Sequence, residues 1–171
     1  MAIQHNNDIK DFTTWDLIAL AQHHGLPTRL LDWTTNPLAA LWFAFQKEEN
    51  KTGERCVWGL SINNSYLADF KKSPFSQVRT VIFRPNHITK RITAQNGWFT
   101  NHKFLQESSS FIPLNRHKTY SIKLAKFKFS NKLRIEMLKT LEMMGINHYT
   151  MFPDLDGLTS YIEWKRFKIN K

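Results

Sequence analysis

The feature that most constrains this chain is a single change in apolar periodicity, near Gly53. Before it, apolar side chains recur at helical spacing; after it, most short apolar runs alternate with polar residues or are bounded by turn signals. Thr13, Thr14 and Asp16 open the first helical stretch, Trp15, Leu17, Ile18, Leu20 and Ala21 carry it, and Gly25 stops it, so a helix is expected from about Thr14 to His24. Asn36-Pro37 is an N-cap and first-turn pair that opens a second helix through Leu38, Leu41, Trp42 and Phe45, fraying over 47–51. The intervening 25–36 is too apolar for an exposed loop and is expected to be a packed connector.

The later segments read as short strands with helices at the end. Residues 55–62 read as a buried strand, 64–70 as a short helix, 78–83 as a strand, and 91–100 as strand around an Asn96-Gly97 turn. Tyr120 to Phe129 alternates apolar and basic residues with a phase slip at Ala125 that suggests a bulge. Ser130 caps a helix ended by Gly145, 148–152 is expected as a strand, and Pro153-Asp154-Leu155-Asp156-Gly157 leads into a last helix. The expected fold is α+β: N-terminal helices, then a mixed, mostly antiparallel sheet with C-terminal helices.

Length and composition agree with one globular domain over 1–171, since 42% hydrophobic and 13% aromatic residues suffice for a core. The longest apolar stretch, 38–45, is far short of the ~20 residues of a spanning helix, so no membrane partner is expected. The N-terminus lacks the basic-then-apolar order of a signal peptide. The lone Cys56 excludes an internal disulfide and a multi-cysteine zinc site, and a cytoplasmic location is expected, with Cys56 a buried, inert thiol. The net charge of +10 calls for an anionic partner. It is unevenly placed: residues 1–54 hold four basic and seven acidic side chains, and residues 118–139 seven basic ones against Glu136. A basic strip of Lys123, Lys126, Lys128, Lys132 and Arg134 could follow a phosphate backbone, or could be a solvated face that discourages edge pairing.

Two polar clusters could carry chemistry. The denser contains Gln22, His23, His24, Thr28, Arg29, Asp32, Trp33 and Thr34. The dipole at the end of the first helix would favour protonated imidazoles, and Arg29 and Asp32 could form a bidentate pair holding the connector. Adjacent histidines diverge on a helix and no HExxH spacing occurs, so no metal site is expected; there is also no Gly-x-Ser-x-Gly elbow, GxGxxG or P-loop. Asp154, Asp156 and Gly157 lack the other ligands of a calcium loop. The second cluster is Arg91 to Phe99: a strand would send Arg91, Thr93 and Gln95 to one face, with Trp98 and Phe99 bounding a pocket for a planar ring.

From Leu20-Ala21-Gln22-His23-His24-Gly25-Leu26-Pro27-Thr28-Arg29-Leu30-Leu31-Asp32-Trp33-Thr34 through Pro37-Leu38-Ala39-Ala40-Leu41-Trp42-Phe43-Ala44, the sequence closely resembles the FRG domain. Arg91-Ile92 with Gln95-Asn96-Gly97-Trp98-Phe99-Thr100, and Phe152-Pro153-Asp154-Leu155-Asp156-Gly157-Leu158, also look like that family. The Phe-Arg-Gly signature that names the family lies upstream of the Gln-His-His-Gly segment and has no counterpart here, so the chain is expected to be the C-terminal portion of such a domain.

The resemblance implies bacterial or phage-related settings, including toxin-antitoxin and phage-defence systems, and a relation to ADP-ribosyltransferases, which grip NAD in a split mixed sheet. On that analogy NAD lies in a cleft between 22–34 and 91–99, and the acceptor is a nucleic acid or protein. Gln95, His23 and Arg29 take catalytic roles, while Gln22, His24, Thr28, Asp32, Trp33, Thr34, Arg91, Trp98 and Phe99 hold the cofactor. Gln95 cannot act as a carboxylate base, so the proton would pass to His23 or the substrate. The competing expectation is a non-catalytic nucleic-acid-binding module using the basic strip.

Overall fold

The computed structural model describes residues 12–48, 53–86 and 89–168. The N-terminal sequence reading and the fraying beyond Glu48 lie outside them. The described residues fall into two compact units, one drawn from 1–32, 63–89 and 98–112, the other from 33–62, 90–97 and 113–171.

In the first unit, helix α1 (Thr14–His23) begins in a capping box: Asp16 N–H donates to the Thr13 hydroxyl at 3.2 Å, and the Asp16 carboxylate accepts from Thr13 N–H at 2.9 Å. Asp16 also accepts from Asn86 N–H at 2.7 Å and is 1% exposed, so this carboxylate ties the helix start to a distant loop. Gly25, at φ +87°, closes the helix in a Schellman motif, its N–H on Gln22 O and that of Leu26 on Ala21 O.

The sheet has the order β1 (Leu30–Thr34), β4 (Gly97–Asn101), β3 (Val81–Phe83), with β3 and β4 antiparallel in the register Val81 to Asn101 and Phe83 to Phe99. Trp15 packs edge-on to Phe83 at 4.6 Å, and Phe83 stacks on Phe99 at 5.5 Å. The expected packed connector is therefore partly strand, and it is not fully packed: Leu26 and Leu31 are exposed.

In the second unit, Asn36 caps α2 (Pro37–Phe45) as expected. Ala39, Trp42 and Phe45 pack with Leu138, Leu141, Met151 and Trp164 in one core, lined further by Phe129 and Phe152. Strands β2 (Glu54–Leu60) and β5 (Leu124–Ser130) form an antiparallel ribbon, Glu54 opposite Ser130 and Leu60 opposite Leu124. The register is unbroken, so there is no bulge at Ala125; the phase slip arises because 121–123 is a 3₁₀ turn and the strand starts only at Leu124. The ribbon has one face toward the core, through Arg55 and Phe129, so β2 is half-exposed rather than buried, and the Cys56 thiol is only partly covered.

Two arginines finish α2. Arg55 donates to Ala44 O at 2.6 Å, Lys47 O at 2.9 Å and Asn131 Oδ1 at 2.5 Å; Arg134 donates to Phe45 O at 3.0 Å and Gln46 O at 2.9 Å. Cationic donors on the last carbonyls meet the negative end of the helix dipole.

Two expected strands are helical. Residues 90–94 form α3 (Lys90–Ala94), and 148–151 form α5 (His148–Met151), which Asn147 opens with its own capping box. Periodicity cannot separate strand from helix over so few residues. Helix α4 (Arg134–Met143) ends at Gly145, and α6 (Leu155–Glu163) runs into a π-helical turn, Trp164–Lys168. The α+β class holds, with most helices in the C-terminal half. No described helix is long and apolar enough to cross a membrane.

Candidate functional site

In the first unit the structure gathers Gln22, Thr28 and Asp32 into one directional hydrogen-bond relay. Leu30 N–H donates to the Thr28 hydroxyl oxygen at 3.1 Å; the Thr28 hydroxyl donates to Gln22 Oε1; Gln22 Nε2 then donates to both Asp32 oxygens at 3.0 Å. Because the Asp32 carboxylate only accepts, the Gln22 amide has one orientation, with its NH₂ aimed at the carboxylate and its Oε1 at the Thr28 hydroxyl. The last turn of α1 supplies Gln22, the chain after Gly25 supplies Thr28, and β1 supplies Asp32.

Asp32 has no cationic partner among the described residues. Burial pushes its carboxyl above the usual carboxylate range, against the opposing pull of the Gln22 hydrogen bond. A carboxylate offers about four acceptor positions, and one NH₂ group occupies only part of them. Asp32 itself is exposed, so despite that desolvating surround the arrangement is a fixed, solvent-accessible acceptor suited to a ligand that brings hydrogen-bond donors.

The expected Arg29–Asp32 pair does not form. Arg29 donates Nη2 to Pro74 O at 2.7 Å and lies 5.8 Å from the Phe75 ring, and desolvation lowers its pKa. Asn101 Nδ2 donates to the same Pro74 carbonyl at 2.8 Å, and Arg29 O accepts from His102 N–H at 3.3 Å. The His23 and His24 rings meet edge-on at 5.1 Å at the end of α1.

The sequence reading missed the buried polar row at the end of β4. Thr100, Asn101 and His102 are at most 3% exposed, as is Thr80 opposite, and the Asn101 side-chain oxygen is buried with no hydrogen-bond partner. The signal was there, since Thr100-Asn101-His102 directly follows Trp98-Phe99 in the sequence. Phe99 is buried on Phe83, while Trp98 is half-buried.

Thr34, Arg91 and Gln95 lie in the second unit. Since 90–94 is helical, Arg91 and Gln95 do not alternate on a strand: Arg91 lies in the helix, and Gln95 follows its end with its N–H on Arg91 O at 3.0 Å. Gln95 donates Nε2 to Met151 O at 3.0 Å, and its main-chain carbonyl accepts from the Thr34 hydroxyl at 2.6 Å. Arg91 pairs with Asp154 through Nε at 2.7 Å and Nη2 at 2.6 Å, and it lies 5.1 Å from the Phe152 ring. Asp154 in turn caps α6 by accepting from Gly157 N–H at 2.9 Å. Trp33 is half-buried.

The basic strip is also divided. Lys126 and Lys128 lie on the ribbon face away from the core, Lys126 with its ammonium 5.1 Å from the Trp58 ring and Lys128 paired with Glu54 at 2.8 Å. Lys123 belongs to the 3₁₀ turn and Lys132 is exposed. Arg134 donates to the carbonyls of Phe45 and Gln46 at the end of α2. No group of three His, Cys, Asp or Glu side chains is gathered as metal ligands among the described residues.

No curated protein and no solved structure matches this chain. The family match covers the segment that builds the Gln22–Thr28–Asp32 relay and does not reach 91–100 or 152–158: residues 1–53 match the model of the FRG domain.

Proposed function

We propose that the Gln22–Thr28–Asp32 relay binds a ribose hydroxyl pair of NAD, and that the protein is an ADP-ribosyltransferase-like enzyme of a toxin or phage-defence system. The observation that carries this reading is the Asp32 carboxylate, oriented by Gln22 and lacking a cationic partner. A vicinal diol brings two O–H donors, which matches the remaining acceptor positions. Arg29 retains Nε and Nη1 as donors beyond its bond to Pro74, which suits a pyrophosphate oxygen.

In the reaction the bond from ribose C1′ to the nicotinamide nitrogen breaks, nicotinamide leaves neutral with the bonding pair, and an acceptor O–H or N–H forms the new bond at C1′. The acceptor's proton passes to His23 or to solvent.

The deciding experiment is thermal unfolding with and without NAD, together with incubation in labelled NAD with protein and nucleic-acid acceptors. A melting-temperature rise that Asp32→Ala and Gln22→Ala abolish, with label transferred or nicotinamide released, is the expected outcome. Neither binding nor turnover of NAD would overturn it.

A further inference from the structure

We propose that the outward face of the β2–β5 ribbon binds single-stranded nucleic acid, with Trp58 as the stacking platform and Lys126 and Lys128 on the phosphates. The face is fixed by the register. Leu60 and Leu124, Trp58 and Lys126, Cys56 and Lys128, and Glu54 and Ser130 are successive pairs on one side, while Arg55 and Phe129 turn to the core on the other. Lys126 and Lys128 therefore stand ~6.7 Å apart along the strand, a step comparable with successive phosphates of an extended single strand.

Trp58 is 39% exposed although it lies mid-strand, and the only side chain described over its ring is the Lys126 ammonium. An exposed cation on an indole is held weakly, so an incoming base can take that ring face and release Lys126 to a neighbouring phosphate. Lys123, whose carbonyl accepts from Ser61 N–H at 2.9 Å, extends the strip at one end, and the exposed Lys132 extends it at the other. Glu54 is the one carboxylate on this face, and its partner Lys128 keeps two further donors.

Charge decides the class of occupant. The strip's cations outnumber its acid, and an aromatic ring set among them suits a polyanion that also offers flat bases, whereas an acidic protein would leave the indole unused. A duplex hides its base faces and would use the lysines alone.

The test uses the full chain with a labelled 20-nucleotide oligothymidine, its duplex form and heparin, at low and physiological salt. The single strand is expected to bind most tightly, to quench tryptophan fluorescence and to weaken steeply with salt. Trp58→Ala should weaken it about 10-fold or more, and Lys126→Glu with Lys128→Glu should flatten the salt dependence. Trp58→Phe, which keeps a ring in the ribbon, should retain most of the affinity and controls for folding. Equal binding of duplex or heparin with no effect of Trp58→Ala overturns the proposal in favour of a nonspecific polyanion surface. Absence of oligonucleotide binding, or self-association through this face, overturns it outright. Asp32→Ala should leave this binding unchanged, which separates its outcome from that of the NAD experiment.

Discussion

The side-chain amide of Gln95 donates to the main-chain carbonyl of Met151 at 3.0 Å, so a residue that family analogy marks as catalytic also holds the end of α3 to α5. Its own carbonyl accepts from Thr34, and Asn96 O accepts from Thr35 N–H at 3.4 Å. Gln95→Glu would set a carboxylate against the Met151 carbonyl and should destabilise the protein by about 1–2 kcal/mol in chemical denaturation. Activity lost on changing Gln95 therefore carries catalytic meaning only beside an unfolding measurement.

Gly157 is a steric necessity. A Cβ there would lie 1.8 Å from Phe152 O, a main-chain atom that cannot move aside without breaking the turn before α6. Gly157→Ala should cost more than about 3 kcal/mol, or prevent folding, as read by circular dichroism and denaturation. The Pro-Asp-Leu-Asp-Gly segment is thus explained by Asp154 as cap and Gly157 as close-approach residue, without an ion.

The same cap sets a pH dependence. The Gly157 N–H and the Arg91 guanidinium hold the Asp154 carboxyl below its ordinary pKa. A depressed carboxyl contributes stability that is present above its unfolded pKa and is lost as pH falls through the folded value. Asp154→Asn keeps a capping oxygen but not the ion pair. The melting-temperature gap between wild type and Asp154→Asn should accordingly be widest at neutral pH and close in acid.

Arg55 should be the costliest surface-adjacent cation to remove. Its guanidinium, in a residue 7% exposed, serves the Ala44 and Lys47 carbonyls and Asn131 Oδ1, and its removal breaks three bonds, while Lys47 O keeps Arg134 Nε at 3.2 Å. Arg55→Ala should lower stability by about 2–4 kcal/mol in chemical denaturation, and Arg55→Lys should restore only part, because an ammonium lacks the planar fork.

What was legible in the sequence had a local physical cause. Thr13 with Asp16, Asn36 with Pro37, Gly25 and Gly145 mark helix ends through caps that involve only neighbours in the chain, and each stands where those residues imply. The strand reading of 91–95 and 148–152 failed because four or five residues fit either period, and the deciding bonds, Arg91 to Asp154 and Gln95 to Met151, cross more than fifty positions. Arg29 and Asp32 were expected to pair because they are close in sequence. Pro74 and Gln22 offered each of them a different partner, and only one of those is a near neighbour.

Asp32 provides the opposite pH signature to Asp154. Desolvation is the larger influence and raises its carboxyl above the ordinary value. A raised carboxyl favours the folded state most below its unfolded pKa, and that contribution is lost as pH rises through the folded value. Asn at this position accepts the Gln22 N–H without ionising, so Asp32→Asn should gain stability relative to wild type as pH rises from acid to neutral. The same substitution removes the anion that a ribose diol would meet. NAD at neutral pH should therefore raise the melting temperature of the wild type and leave that of Asp32→Asn where it was. A variant that is at once more stable and blind to the ligand is the mark of a binding residue. An Asp32→Asn protein that melts lower at neutral pH would instead make the Gln22–Asp32 contact a structural tie between α1 and β1.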